Sequence, residues 1–120
     1  MKSVWKMKRH LMAAALLAAA SAPVLAQNYV GQSTISNMRT MQTYTYVGLT
    51  VQPANTCDSF GAHVRFDHTT PDGKALLSSM LLAWSSGRDI AVWYTTSAAV
   101  GAVGNACTNS MSQMTGVRVY

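Results

Sequence analysis

The sequence predicts a small, mainly β domain with one helix: a five-stranded Greek-key barrel in the order β-β-β-α-β-β. Three observations carry this. Short runs rich in Thr, Tyr, Val and Ile alternate at period two on both sides of a helical stretch that opens at Pro71. The stretch from Pro71 to Tyr94 carries a helix start, an apolar run, a stop at Gly87 and then a strand. Two cysteines stand at matching places, Cys57 before the third strand and Cys107 before the fifth. The element order is that of the OB-fold, in which strands three and five run parallel as closing neighbours and bring both cysteines to one end of the barrel. An open antiparallel sheet crossed by one helix explains the elements but not that placement.

Residues 1–26 stand apart from the fold. Lys2, Lys6, Lys8 and Arg9 make a positive n-region, Leu11 to Ala20 a short apolar core, and Ser21 to Ala26 ends in Val-Leu-Ala before Gln27. This is the pattern of a secretory signal peptide. Pro23 interrupts the apolar run short of the roughly 20 residues that a spanning helix needs. The sequence therefore predicts export, periplasmic or secreted, with no membrane span. Residues 27–120 are one domain.

Tyr29 to Met41 and Thr43 to Val51 are the first two strands. Tyr44 and Tyr46 lie on one phase while Val47, Leu49 and Val51 lie on the other, which predicts a bulge near Gly48. Gln52 to Ser59, with Pro53 and Asn55, is a loop. Phe60, Ala62, Val64 and Phe66 then alternate with His63, Arg65 and Asp67, giving a third strand with an apolar face and a solvated polar one.

Thr70 is placed as N-cap, Pro71 at the first helical position, and Asp72 at the positive end of the helix dipole. Leu76, Leu77, Met80, Leu81 and Trp84 recur at helical spacing as core. Gly87 ends the helix in the left-handed region. The opposite face is alanine and serine, where a solvated helix ordinarily carries Lys and Glu, so it invites the close approach of another helix. Asp89 to Thr95 is strand four, 96–113 a long loop around Cys107, and Val117 to Tyr120 a last strand.

Charge and residue type exclude several functions. Of nine Lys and Arg, four lie in residues 1–26, which leaves Arg39, Arg65, Lys74, Arg88 and Arg118 against four Asp. Cations this few and scattered give no patch for phosphates, so nucleic acid is not a predicted partner. A surface so poor in charge points to a partner subunit covering part of it. Export puts Cys57 and Cys107 in an oxidising compartment, and they are predicted to form a disulfide. His63, Arg65, Asp67 and His68 lie close in sequence, but no nucleophile, oxyanion site or third metal ligand accompanies them. The chain is therefore predicted to be non-catalytic and to need no cofactor.

Tyrosine, tryptophan and small hydroxyl residues remain. Trp93 and Tyr94 end strand four, Tyr29, Tyr44 and Tyr46 mark the first two strands, and Ser33, Thr34 and Ser36 line strand one. Aromatic faces beside hydroxyls suit shallow sugar sites, because a pyranose has an apolar face ringed by hydroxyls. Tyr94, Trp93, Ser33 and Thr34 are the predicted ligand-binding residues.

The run Ala75-Leu76-Leu77 to Trp84, followed by Ser86-Gly87-Arg88-Asp89-Ile90-Ala91-Val92-Trp93-Tyr94, resembles the helix, Ser-Gly turn and aromatic-ending strand of the AB5-toxin B subunits, the family of the subtilase-cytotoxin B subunit and its pertussis-like relatives. The resemblance covers about a quarter of residues 27–120. It implies an exported OB-fold subunit that forms a homopentamer, binds sialylated host-cell glycans and carries a separate catalytic A subunit. It also implies that Tyr94, seven residues after Gly87, helps form the glycan pocket. The family's strand-one serine falls at Val30 in this chain, with Ser33 nearby. Two other functions fit the same composition: a monomeric periplasmic OB-fold module for a small cationic or peptide ligand, and a disulfide-stapled inhibitor of a secreted hydrolase.

Overall fold

The computed structural model describes residues 27–120, and the signal-peptide expectation for residues 1–26 lies outside them. The first predicted strand is two strands, β1 (Gln27–Ser33) and β2 (Ile35–Met41), broken at Thr34. They are followed by β3 (Tyr44–Leu49), β4 (Val64–Asp67), α1 (Pro71–Ser86), β5 (Ile90–Thr95), the single-turn α2 (Asn105–Thr108) and β6 (Ser112–Val119). The protein is thus mainly β with one main helix.

The six strands form one mixed sheet in the order β1-β5-β6-β4-β3-β2. It is not the closed five-stranded barrel that the element order predicts. β1 and β2 are its two edges and do not pair with each other. They are joined through Thr34, whose carbonyl accepts the Thr50 N–H at 3.0 Å, while Ser33 pairs with Ile90 and Ile35 with Leu49. One continuous segment therefore leaves one edge of the sheet and joins the other.

The predicted parallel pair is present: β4 and β6 run parallel in the register Val64 to Ser112 and Arg65 to Gln113, and the other named strands pair antiparallel. Cys57 and Cys107 are bonded, with their Cα atoms 5.8 Å apart, within the usual range for a disulfide. That bond is compatible with an oxidising compartment.

α1 begins and ends as its sequence dictates. The Thr70 Oγ1 accepts the Gly73 N–H at 2.9 Å, and Gly87 takes φ 64° beyond the last turn. Gly73 permits the first turn to sit on the end of β4, since a Cβ there would lie 1.6 Å from the Asp67 carbonyl oxygen. The predicted core stripe is only half right. Met80 and Ala83 are buried and Leu76 and Leu77 pack beside them, but Leu81 and Trp84 are 48% and 45% exposed. Only one narrow side of the helix meets the sheet.

Two apolar clusters share the strands. The main one joins Val47, Leu49, Val64 and Phe66 to Met80, Ile90, Val92 and Met114. The second gathers Tyr46, Ala62 and Met111 around the disulfide. β3 feeds both, so both of its phases are buried, and this explains the change of phase in its sequence. The predicted bulge lies on the facing strand, between Ile35 and Asn37 opposite Gly48. Gly48 itself allows a close approach, because a Cβ there would meet the Gly61 carbonyl at 2.3 Å.

Strand three is shorter than predicted and its polar face is not solvated. Phe60 adopts a left-handed φ of 52° and is exposed, so pairing starts only at Val64. His63 and Arg65 are buried. The Arg65 guanidinium lies 4.1 Å from the Tyr44 ring centroid and donates to the Thr108 carbonyl at 2.9 Å, closing α2. The last strand likewise starts earlier, at Ser112, which shortens the predicted loop.

Candidate functional site

The four predicted ligand residues do not converge. Tyr94 is 1% exposed, and its hydroxyl donates to the Ala54 carbonyl at 2.7 Å. Tyr94 is therefore a core residue and not an open ligand contact, because β5 turns it inward with Val92 and Ile90. Ser33 is also buried, donating to the Thr34 carbonyl and accepting the Val51 N–H. Thr34 shares a 2.7 Å hydrogen bond with Thr50 at the break between the edge strands. Trp93, adjacent to Tyr94 in a strand, faces the other side of the sheet and is half-buried.

Trp93 stands in an aromatic row on that outer face. The register of β1, β5 and β6 sets Tyr29 opposite Trp93 and Trp93 opposite Gly116. Tyr29 and Trp93 touch, with ring centroids 5.0 Å apart and planes tilted by 49°. Tyr29 remains 54% exposed despite that contact. Gly116 contributes no side chain, and a Cβ there would already touch the Trp93 ring at 3.5 Å, so glycine leaves that side of the indole uncovered.

The next outer positions are Ala91, paired with Arg118, and then Tyr120, whose N–H donates to the Asp89 carbonyl. Arg118 stacks 4.8 Å from the Tyr120 ring centroid. The neighbouring Tyr120 hydroxyl is the main influence that raises the Tyr29 phenol above its ordinary pKa, so it stays protonated and able to donate a hydrogen bond at neutral pH. Gln27 adds an amide at the other end of the row, donating to Thr115 Oγ1 at 2.5 Å.

No protein-family model and no curated protein matches this chain. Aromatic faces, phenolic hydroxyls and one guanidinium on a shallow open surface can bind and orient a polar ligand that has an apolar face. Among the described residues no three His, Cys, Asp or Glu side chains come together as metal ligands.

The sequence alone does not mark Arg118, Tyr120 and Gly116 as site residues. The alternation of Val117 and Val119 with Arg118 and Tyr120 places the latter two on an outer phase. Only the pairing of β6 with β5, and of β5 with β1, puts that phase beside Tyr29.

Proposed function

We propose that the chain is an exported, non-catalytic carbohydrate-binding subunit of the AB5-toxin B-subunit type, which associates with copies of itself and presents the Tyr29–Trp93 row to host-cell glycans. In this reading the open six-stranded sheet is an OB-like arrangement whose long first strand is broken at Thr34. The observation that carries the proposal is the exposed Tyr29 ring against Trp93 with glycine opposite the indole, an aromatic surface that residue 116 leaves uncovered. A pyranose ring can lay its C–H face on such a surface while its hydroxyls meet the Tyr29 phenol and the Arg118 guanidinium.

Self-association is supported by α1. Leu82 is 55% exposed and surrounded at helical spacing by Ala75, Ser78, Ser79, Ser85 and Ser86. Ser85 and Ser86 donate to the Leu82 carbonyl, and Ser78 to the Lys74 carbonyl. Their hydroxyls are satisfied by the helix itself, so covering this face strands few donors. The number five and a catalytic A-subunit partner come from the family resemblance.

A glycan array probed with wild type, Trp93→Ala and Tyr29→Ala tests the sugar reading. Wild type binds a subset of glycans, sialylated ones among them, and each variant loses about tenfold in affinity with unchanged circular dichroism. An array with no glycan bound, or variants that bind as wild type does, overturns it.

A further inference from the structure

A cleft of about 320 Å³ lies between the first turn of α1 and β6. That is at the lower end of the roughly 300–1,000 Å³ that small-molecule sites occupy. Phe66, Leu76 and Met114 give it an apolar wall, and Asp67, Asp72 and Gln113 give it acceptors. No Lys, Arg or His lines it. It holds none of the aromatic side chains of the row and meets that row only at Thr115, the acceptor of Gln27.

The acceptors are not consumed by the fold. Asp67 uses one oxygen, Oδ1, for the Thr69 N–H and hydroxyl at 2.8 and 2.6 Å. Its Oδ2 and both oxygens of Asp72 receive no hydrogen bond among the described residues. Gln113 donates through Nε2 to the Met111 carbonyl at 3.4 Å, which leaves Oε1 as its acceptor. The contacts from Thr69 hold the Asp67 carboxyl below its ordinary pKa, so it is charged across the neutral range. The helix N-terminus opposes a cation with roughly half a positive charge. Two full carboxylate charges outweigh it.

A bare metal ion fits this cleft poorly. Two carboxylates without a third His, Cys, Asp or Glu make an incomplete ligand set, and the apolar wall does nothing for a hydrated ion. A cation that carries its own hydrocarbon uses both parts. We propose that the cleft binds a primary alkylammonium group, the charge held by Asp67 and Asp72 with Gln113 Oε1, and the alkyl stem lying along Phe66, Leu76 and Met114. The group can belong to a free amine or to a lysine side chain.

Titrating the full domain with n-butylammonium and following backbone amides by NMR tests this site independently of sugar binding. Saturable shifts are expected at residues 70–73 and 113–115, with none from n-butanol at equal concentration. Asp72 is exposed, and Asp72→Asn weakens binding about fivefold while Tyr29→Ala leaves it unchanged. A blocked Gly-Lys-Gly peptide that binds more tightly than n-butylammonium assigns the site to peptide lysine, and equal binding assigns it to free amines. Shifts that do not saturate, shifts matched by n-butanol, or an Asp72→Asn variant that binds as wild type does overturn the proposal.

Discussion

The Nδ1 of buried His63 accepts the backbone N–H of Leu49 at 3.0 Å, while its Nε2 stands 3.8 Å from Asp58 Oδ2. Accepting at Nδ1 requires that nitrogen to be unprotonated, so the proton is carried on Nε2. Burial is the larger influence and pushes the His63 pKa down, and Asp58 pulls it partly back up. Protonation would cost the Leu49 hydrogen bond and charge a buried ring.

The sign of the pH dependence follows. In the unfolded chain His63 titrates near about 6.5, and in the fold it titrates lower. The unfolded state thus takes up the proton first, and stability is full above about pH 6.5 and falls as the pH drops through the folded value. Urea midpoints measured between about pH 7.5 and 5 should decline. His63→Asn places an uncharged oxygen near Nδ1 and should flatten that decline. Asp67, whose pKa is lowered by Thr69, acts in a lower window, below about pH 3.9. A wild-type midpoint unchanged from pH 7.5 to about 5 contradicts this role for His63.

The disulfide closes a span of 50 residues and sits at the centre of the second cluster. In the chain-entropy model such a loop stabilises by about 4 kcal/mol. The double change Cys57→Ser, Cys107→Ser should lose about that much in equilibrium denaturation, and reductant should destabilise wild type but not the variant. Two free thiols per chain in protein prepared under oxidising conditions would refute the pairing.

Tyr94→Phe separates core from site. The Tyr94 hydroxyl ties β5 to the loop at Ala54, and removing it leaves a carbonyl short of its donor. We expect a stability loss of about 1 kcal/mol with sugar binding unchanged. The opposite outcome, intact stability and weakened binding, would return Tyr94 to the ligand site.

Much of the frame is legible in the residues themselves. Thr70, Pro71 and Gly87 bound the helix by local chemistry, and the cysteine placement foretells the parallel β4–β6 pair. The errors share a cause, which is that burial on two sides cannot be read from one strand. His63 and Arg65 alternate with apolar residues and look solvated, yet a second cluster covers them. Thr34 carries no sign of a break, since the break is imposed by the different partners of β1 and β2. Tyr94 and Trp93 are both aromatic strand residues, and only the register with β1 and β6 decides which one meets solvent.

The outer face of α1 provides the last test. Leu82 is more than half exposed and is not one of the buried core residues, so replacing it should cost the isolated subunit little. If copies of the chain meet there, Leu82→Lys puts a charge into a desolvated contact and should shift the protein to monomer, with the monomer's thermal midpoint preserved. Light scattering at micromolar concentration distinguishes the cases. An oligomer unaffected by Leu82→Lys would move the interface to the free edges of β1 and β2, whereas a wild-type monomer would remove self-association altogether.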